Sequence, residues 1–287
     1  MRYIYLLRLH HWVKNSFVFI PAFFAGNILN TQNIVILLQG FFCFCLMASS
    51  IYILNDYRDI EVDKLHPTKR NRPLASGSVS TSTALTLMVL LSVGSLAWSW
   101  MLEVDFFYFI LLYAVINISY SLGLKNLSLV DIFFVSSGFL IRAIAGGVLI
   151  DVFISQWLII MVFLLSLFLA FAKRRDDLVL AQTSGTVLRK SSRHYSIEYI
   201  NTCLSLISGV IMVSYIMYTL SEDVQLRIGE NYLYVTSLFV FAGLLRYLQI
   251  ALVKNDSGSP TKVLLTDRFI QATILGWVLT FFITIYI

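Results

Sequence analysis

Three aspartates, Asp56, Asp59 and Asp63, recur at intervals of three and four residues in an otherwise apolar chain. On a helix these positions share one face, and Asn55 lies one turn before Asp59 on the same edge. Clustered carboxylates repel one another unless a cation offsets their charge. Hard oxygen ligands at this density suit Mg²⁺, which proteins often hold with carboxylates together with substrate phosphates. The spacing therefore predicts that Asn55, Asp56, Asp59 and Asp63 bind Mg²⁺.

Basic residues accompany these carboxylates. Arg58, Lys69, Arg70 and Arg72 lie in or shortly after the acidic stretch. Guanidinium and ammonium groups match the charge and geometry of phosphate, so these four residues are candidate ligands for the phosphates that such a metal would carry. A charged loop between membrane helices is the simpler alternative. The acidic spacing, with the basic cluster behind it, favours the site.

The composition identifies a membrane protein. Of 287 residues 58% are hydrophobic and 13% are charged, whereas a soluble domain has about 45–50% apolar and about 25% charged residues. The net charge of +5 could suggest nucleic acid as a partner, but the positions of the charges, described next, favour the lipid bilayer and no nucleic acid. Cys43, Cys45 and Cys203 lie in apolar segments without metal-ligand spacing, which is typical of small hydrophobic residues.

Nine segments are long and apolar enough to cross a membrane as helices. They cover approximately residues 14–29, 33–54, 80–101, 105–122, 128–150, 155–172, 198–219, 231–252 and 268–287. With a cytoplasmic N-terminus, all of the 21 Lys and Arg residues except Arg142, Arg227 and Arg246 fall on the cytoplasmic side, which is a strong positive-inside signal. We therefore expect an all-α polytopic protein of the cytoplasmic membrane, with residues 1–287 as one domain and the C-terminus outside. Its long loops, about 55–79, 173–197 and 253–267, face the cytoplasm, so chemistry is expected there.

Two further polar features lie at or within helices. Tyr120 and Lys125 close the fourth helix, either as interfacial anchors or as phosphate ligands facing the acidic loop. Arg142 lies inside the fifth helix, where an arginine costs at least about 2.5–3.5 kcal/mol, and is a functional candidate. Asp131, eleven residues earlier, shares its face, but about 16 Å of helix rise disfavours an ion pair between them. We expect Arg142 to line a polar cavity.

The second long cytoplasmic loop begins with Lys173-Arg174-Arg175-Asp176-Asp177 and carries Arg193 near its end. These basic residues could hold anionic lipid headgroups or substrate phosphates. Asp176 and Asp177 are adjacent and do not share a helix face, so they cannot easily ligate one metal from a helix.

The pattern Asn55-Asp56-x-x-Asp59-x-x-x-Asp63 resembles the first aspartate-rich motif of the UbiA superfamily of intramembrane prenyltransferases. The resemblance covers the whole chain and implies a bundle of nine helices with a cytoplasm-facing polar cavity that holds metal and diphosphate. The run from Tyr120 to Lys125 is similar to the Tyr/Lys motif of that superfamily, although its spacing is one residue longer than the usual Y-x-x-x-K. The loop after helix six departs from the aromatic prenyltransferases, because bases replace a second D-x-x-x-D motif.

Several other runs resemble one branch of the superfamily, the decaprenyl-phosphate phosphoribosyltransferases. They begin at His11 (HWVKN), His66 (HPTKRNRP), Tyr120 (YSLGLK), Phe139 (FLIRAIAGG) and Val263 (VLLTDR). The resemblance implies an Mg²⁺-dependent enzyme that transfers 5-phosphoribose from 5-phosphoribosyl diphosphate (PRPP) to a polyprenyl phosphate and releases diphosphate. Asp56, Asp59, Asp63 and Arg142 would be catalytic. The substrate-binding residues would be Lys14, Asn55, Arg58, Lys69, Arg70, Arg72, Tyr120, Lys125, Lys173, Arg174, Asp177 and Arg193.

Two other functions stay open at this point. One is a prenyltransferase that moves a prenyl group from prenyl diphosphate to an aromatic acceptor, which the missing second aspartate motif disfavours. The other is an anion or lipid transporter, which the odd helix number and the lack of an internal repeat disfavour. The sequence leaves open the length of the lipid and whether the chain forms a homo-oligomer.

Overall fold

The protein is built from helices. The computed structural model describes residues 2–65, 69–184, 191–228, 232–254 and 260–286, and no strand occurs in these ranges. The α-helices are α1 (Arg2–Leu7), α2 (Ile20–Phe24), α3 (Thr31–Arg58), α4 (Ile60–Lys64), α5 (Thr81–Leu102), α6 (Val104–Leu122), α7 (Val130–Leu149), α8 (Gln156–Ser184), α9 (Ile197–Leu220), α10 (Glu222–Ile228), α11 (Ser237–Leu252), α12 (Pro260–Thr266) and α13 (Arg268–Tyr286). Within the same ranges, five 3₁₀ helices cover Leu9–Phe19, Lys69–Asn71, Leu124–Asn126, Ser191–His194 and Leu233–Thr236.

Eight of the helical segments in the described ranges are long and apolar enough to cross a membrane. They are Thr31–Arg58, Thr81–Leu102, Val104–Leu122, Val130–Leu149, Gln156–Gln182, Ile197–Leu220, Leu233–Leu252 and Arg268–Ile285. Each overlaps one of the predicted spans, from the second to the ninth. The expectation of an all-α integral membrane protein is therefore confirmed.

The first predicted span, about 14–29, is not one long α-helix. A 3₁₀ helix covers Leu9–Phe19, and α2 follows with Pro21 in its first turn. Proline lacks an N–H donor and is well placed where an α-helix begins. Phe19 and Ile20 keep right-handed helical dihedral angles, so the helical path continues across the change of type. The described residues thus give eight long apolar helices and one mixed helical segment in place of nine uniform spans.

Side-chain caps explain where several helices begin. Asn30 accepts hydrogen bonds from the backbone N–H groups of Gln32 and Asn33 at the start of α3. Ser80 caps α5, and Ser196 caps α9, in the same way. These short polar side chains satisfy N–H groups that have no partner within the helix. Turn residues at these positions therefore separate the apolar runs that the sequence predicts as spans.

The chain forms two compact units. The first comprises Met1–Lys125 and Gly138–Phe153, and the second comprises Asn126–Ser137 and Ile154–Ile287. Helix α7 contributes its first part to the second unit and its remainder to the first. The expectation of a single domain over residues 1–287 stays a prediction.

In the first unit, α3 packs against α5, α6 and the 3₁₀ helix Leu9–Phe19. The rings of Phe44 and Phe106 meet edge-on in its core, with centroids 5.8 Å apart. Gly146 on α7 approaches this 3₁₀ helix closely, because a Cβ atom there would overlap the carbonyl group of Val18. The absence of a side chain at Gly146 therefore permits the contact between α7 and the N-terminal segment.

In the second unit, α8 packs against α9, and α11 packs against α13. Arg246 on α11 donates to both carboxylate oxygens of Asp267, at 2.7–3.2 Å, just before α13 begins. The hydrogen bonds from Arg246 hold the pKa of Asp267 below its usual range. This ion pair connects two membrane helices and satisfies Arg246, one of the two arginines that the sequence places inside a span.

Candidate functional site

The acidic motif lies at the end of α3 and in α4. Helix α3 ends at Arg58, and Asp59 bends the chain with φ −98° and ψ 5°. The N–H of Asp59 still donates to the carbonyl of Asn55 at 3.1 Å, and that of Asp63 donates to the carbonyl of Asp59 at 2.8 Å. Near-helical spacing is therefore retained across the bend, and the three carboxylates stay within two turns of one another.

Two arginines bind the buried members of this motif. Arg8 Nη2 donates to Asp56 Oδ1 at 2.5 Å. Arg72 Nη1 donates to the same oxygen at 3.1 Å and to Asp63 Oδ2 at 2.7 Å. Because Arg72 bridges Asp56 and Asp63, these two carboxylates share a face, as their spacing of seven residues predicts.

Lys125 binds the third carboxylate. Its Nζ atom lies 2.8 and 2.9 Å from the two oxygens of Asp59 and 3.2 Å from Asn55 Oδ1. The alternative in which Lys125 faces the acidic loop is therefore the arrangement present here. Asp59 does not share Arg72 with Asp56 and Asp63, because the bend at the end of α3 turns its side chain toward the loop after α6.

Charge balance explains how the cluster tolerates burial. Asp56 and Asp63 are each only 2% exposed, whereas the Asp59 side chain is 28% exposed. Unpaired buried carboxylates are very unfavourable, but paired and hydrogen-bonded ones are tolerated. Here three carboxylates meet three cations, Arg8, Arg72 and Lys125. We name these six residues, with Asn55, the carboxylate–cation cluster.

The donor atoms of this cluster suit Mg²⁺, although the cations now occupy part of them. Within the described ranges, no group of three or more His, Cys, Asp or Glu side chains has converged as a metal site. The hydrogen bonds recorded there to Asp56 end on Oδ1 and those to Asp63 end on Oδ2, which leaves one oxygen of each without such a bond. Carboxylate and amide oxygens are the ligands that Mg²⁺ prefers. The residues therefore fit the ion.

The other predicted residues of the first unit have varied settings. Arg58 and Arg70 are exposed, and Lys69 is partly buried in the short 3₁₀ helix Lys69–Asn71. Lys14 and Tyr120 are half-buried, on the 3₁₀ helix Leu9–Phe19 and in the last turn of α6. His66, Pro67 and Thr68, which belong to one of the motif runs, lie outside the described residues.

Arg142 is buried and is held by neutral groups. It donates to Asn15 Oδ1 at 2.7 Å, to the Gly138 carbonyl at 2.6 Å and to the Tyr113 hydroxyl at 2.8 Å. Its guanidinium also lies 4.4 Å from the centre of the Tyr113 ring, a favourable cation–π distance. The expected neighbours of Arg142 were a polar cavity, a substrate phosphate or the metal-site carboxylates. In this structure it instead connects α7 to α6 and to the 3₁₀ helix Leu9–Phe19.

Asp131 belongs to a separate buried network in the second unit. It accepts hydrogen bonds from Arg174 at 2.9 Å, from Ser191 at 3.1 Å and from Tyr195 at 3.2 Å. Arg174 also donates to Asp177 at 2.9 Å. Asp131 therefore pairs with Arg174, and the low expectation for an Asp131–Arg142 pair agrees with this. Burial raises the pKa of Tyr195, so its hydroxyl keeps the proton that it donates.

Two predicted basic residues border this network. Lys173 is exposed on α8, next to Arg174. Arg193 falls in the 3₁₀ helix Ser191–His194, but its side chain lies outside the described part of the chain, as do residues 185–190. The sequence predicts no separate role for Arg175, which is buried and donates from Nε to Asn201 at 2.7 Å.

Comparison with known proteins agrees with the motifs. Residues 16–273 match the UbiA prenyltransferase family. The chain belongs to this family. A solved structure of a UbiA homolog from Archaeoglobus fulgidus, bound to GPP and Mg²⁺, superposes with a TM-score of 0.74 over 100% of both chains at 19% identity. That likeness establishes the UbiA fold.

Curated relatives of this UbiA-family chain carry the name of the branch that its motif runs indicate. It is 36% identical to the decaprenyl-phosphate phosphoribosyltransferase of Mycolicibacterium smegmatis, over 98% of this chain and 91% of the relative. It is 32% identical to the protein of the same name from Corynebacterium glutamicum, over 98% of this chain and 86% of the relative. The resemblance inferred from the motifs is thereby confirmed.

Sequence reasoning missed several residues that contact the predicted ones. In the sequence Arg8 contributes only to the charge distribution, and the pattern does not mark Asn15 or Tyr113 as site residues. Asn15 directly follows Lys14 within one of the motif runs, which was a usable signal for a polar role. Arg8 and Tyr113 meet their partners across 48 and 29 residues of sequence, which local spacing does not reveal.

Proposed function

We propose that this protein transfers 5-phosphoribose from PRPP to a polyprenyl phosphate of the decaprenyl-phosphate type. The observation that carries the proposal is its similarity, over nearly the whole chain, to relatives that bear that enzyme's name. The carboxylate–cation cluster supports it, because it combines oxygen ligands for a metal with cations for phosphates. The enzyme would be a transferase of the membrane.

The reaction needs little proton chemistry from the protein. An oxygen of the lipid phosphate attacks C1 of the ribose, the bond from C1 to the diphosphate oxygen breaks, and diphosphate leaves with the bonding electrons. The nucleophile is already an anion, so no strong general base is needed. The difficulty is to hold two anionic substrates together and to stabilise the leaving group, which is a task for positioned cations.

Asn55, Asp56, Asp59 and Asp63 would hold Mg²⁺, which supplies positive charge to the leaving diphosphate when it is bound. Lys125 and Arg72 neutralise these carboxylates in the structure as it stands. Once the carboxylates have a metal to bind, both side chains would be released toward substrate phosphates. Arg58, at the end of α3, and Lys69 and Arg70, in the 3₁₀ helix Lys69–Asn71, would bind the donor.

Other residues would bind substrate or position those that do. Lys14 and Tyr120 are proposed ligands of a lipid or donor phosphate, and in the second unit Lys173 and Arg193 are proposed phosphate ligands. Arg174 and Asp177 would act through their ion pair, which fixes the α8 turn that carries Lys173. Arg142 fits a positioning role, in which it fixes Asn15 and hence the neighbouring Lys14.

The site would face the cytoplasm. The support is the distribution of Lys and Arg, which places nearly all of them in loops on one side. A ninth crossing would come from Leu9–Phe24. Eleven residues of 3₁₀ helix and five of α-helix would extend about 30 Å, which matches the hydrocarbon core of a bilayer.

The test is a donor comparison with purified protein in lipid nanodiscs containing Mg²⁺. One arm supplies labelled PRPP with decaprenyl phosphate, and the other supplies labelled geranyl diphosphate with 4-hydroxybenzoate as a representative aromatic acceptor. We expect label to enter the lipid only from PRPP. Turnover in the second arm alone would identify an aromatic prenyltransferase and overturn the proposal.

A further inference from the structure

Arg8 holds an unexpected position beside the acidic motif. It lies between α1 and the 3₁₀ helix Leu9–Phe19, and its guanidinium carbon is 4.9 Å from the centre of the Tyr52 ring. The same guanidinium donates to Asp56 at 2.5 Å. Tyr52 and Asp56 are one helical turn apart on α3, so Arg8 covers two successive positions of one helix face.

The backbone of Arg8 is held in an unusual conformation. Its φ of 51° and ψ of 49° are left-handed, a region that non-glycine residues adopt only at an energetic cost. Contacts on both sides fix this junction: Ser49 on α3 donates to the Leu7 carbonyl at 2.9 Å, and Trp12 donates to Ser49 at 3.0 Å. Strained residues that persist in this way often lie at functional sites.

The bonds to Asp56 are one-sided. Arg8 and Arg72 both donate to Oδ1, and within the described residues no hydrogen bond is recorded to Oδ2. The Arg8 side chain is 16% exposed and that of Asp56 is 2% exposed, so the pair is largely shielded from water. A carboxylate clamped through one oxygen presents the other in a defined direction.

We propose that Arg8 is a positioning residue for the phosphoribosyl transfer, which clamps Oδ1 of Asp56 and so presents Oδ2 to the metal. This inference rests on the proposed function for its substrate, but metal binding tests it independently. Partners that orient the ligands of a metal typically change its affinity or the activity about 10- to 100-fold when they are removed. A residue that only neutralised Asp56 would act in the opposite direction, because its loss would leave the site more negative and more attractive to a divalent cation.

The central variant is Arg8→Gly. Glycine accepts the left-handed backbone without strain, and the deleted side chain leaves room for ethylguanidinium from solution. Arg2→Gly is the matched control, because Arg2 starts α1 and donates only to the Ser78 carbonyl among the described residues. The affinity for Mn²⁺ without substrate is measured by electron paramagnetic resonance, and kcat and KM for PRPP are measured with decaprenyl phosphate.

We expect Arg8→Gly to bind Mn²⁺ about 10- to 100-fold more weakly and to lose a similar factor in kcat. Ethylguanidinium should restore both toward wild type, which loss of a purely structural contact would not allow. Arg2→Gly should match wild type. An Mn²⁺ affinity that is unchanged or higher in Arg8→Gly, or a failure of ethylguanidinium to restore it, overturns the proposal.

Arg8→Lys decides the question if Arg8→Gly does not fold. It keeps the charge but not the planar guanidinium, so we expect weaker Mn²⁺ binding in the same direction, and wild-type Mn²⁺ binding would overturn the proposal. The two hypotheses fail separately. A wild-type protein that binds Mn²⁺ but transfers no phosphoribose refutes the proposed function, while the role of Arg8 is still decided by Mn²⁺ affinity and its rescue.

Discussion

At the scale of single residues, the three carboxylates of the cluster have different environments. Asp56 is buried against two arginines, whereas Asp59 is partly exposed and paired with a lysine. Removal of one partner from a buried ion pair leaves an uncompensated charge, but an exposed pair contributes little to stability. Stability and activity should therefore respond differently at the two positions.

We expect Asp56→Asn to lower both stability and activity, and Asp59→Asn to lower activity alone. The first change should reduce the free energy of unfolding by up to about 3–5 kcal/mol, because Arg8 loses its carboxylate. The second should cost less than about 1 kcal/mol. Thermal unfolding in detergent and phosphoribosyl transfer are measured on each variant. Equal losses of stability in the two variants would contradict this account of their burial.

The buried side chain of Arg142 should contribute to both stability and activity. Arg142→Met retains bulk but leaves Asn15 Oδ1 and the Tyr113 hydroxyl without their donor, so we expect the protein to lose about 1–3 kcal/mol of stability and most of its activity. Arg246→Met is the control, because it also removes an intramembrane arginine but breaks contacts outside the proposed site, with Asp267, Gln249 and the Phe269 ring. It should lose stability and keep its turnover per folded molecule. Wild-type kcat/KM in Arg142→Met would exclude a role in the reaction.

At the scale of elements, the structure depends on how α7 meets the N-terminal segment. Gly146 faces the backbone of Val18 without an intervening side chain. The same N-terminal segment carries Asn15, which accepts a hydrogen bond from Arg142, and its neighbour Lys14. A change at Gly146 should therefore act on the site through packing rather than through charge.

We expect Gly146→Ala to destabilise the protein by at least about 1–3 kcal/mol, the usual cost of overpacking, because backbone rather than a flexible side chain must move. Gly94→Ala is the matched control on α5, where a Cβ atom would meet nothing within 4 Å. That change should be neutral, or stabilising by up to about 1 kcal/mol from helix propensity. Thermal unfolding compares the two. An equal effect at both glycines would show that the close contact is not important.

The elements also show what could be predicted from the sequence. Long apolar runs predict spans two to nine, because about 20 consecutive apolar residues are sufficient for a helix to cross the bilayer. The segment 9–24 was harder, because Lys14, Asn15 and Pro21 interrupt the apolar pattern, and the choice between 3₁₀ and α-helix depends on packing. The acidic motif was visible from its spacing. The partner Arg8 was not, since it lies 48 residues from Asp56. Lys125 was a candidate facing the acidic loop, but its direct pairing with Asp59, 66 residues away, could not be predicted from local spacing.

At the scale of the whole molecule, the Lys and Arg residues are predicted to lie predominantly on one side of the bilayer. This asymmetry orients helices during insertion and gathers the cations that anionic substrates need. The same distribution predicts a cytoplasmic N-terminus and an odd number of crossings. The number is odd only if the segment 9–24 also crosses the bilayer, in addition to the eight long apolar helices of the described residues.

Cysteine labelling tests this topology. In a variant with Cys43, Cys45 and Cys203 replaced by alanine, Arg2→Cys and Leu29→Cys flank the segment at exposed positions. If Leu9–Phe24 crosses the bilayer, an impermeant maleimide should label Leu29→Cys on intact cells and Arg2→Cys only after permeabilisation. Labelling of both positions from the same side would contradict the ninth crossing.

Phosphoribosyl transfer is tested most directly by following the two ends of the donor separately. PRPP is prepared with ³²P either in its 5-phosphate or in the β-phosphate of its diphosphate, and is incubated with decaprenyl phosphate, Mg²⁺ and the purified protein. We expect the 5-phosphate label to pass into the organic extract with the lipid, and the β label to stay in water as diphosphate. In Asp59→Asn the 5-phosphate label should stay in water, and no labelled diphosphate should form. Label from the β-phosphate in the lipid, or no lipid label from either position with the wild-type protein, would contradict phosphoribosyl transfer.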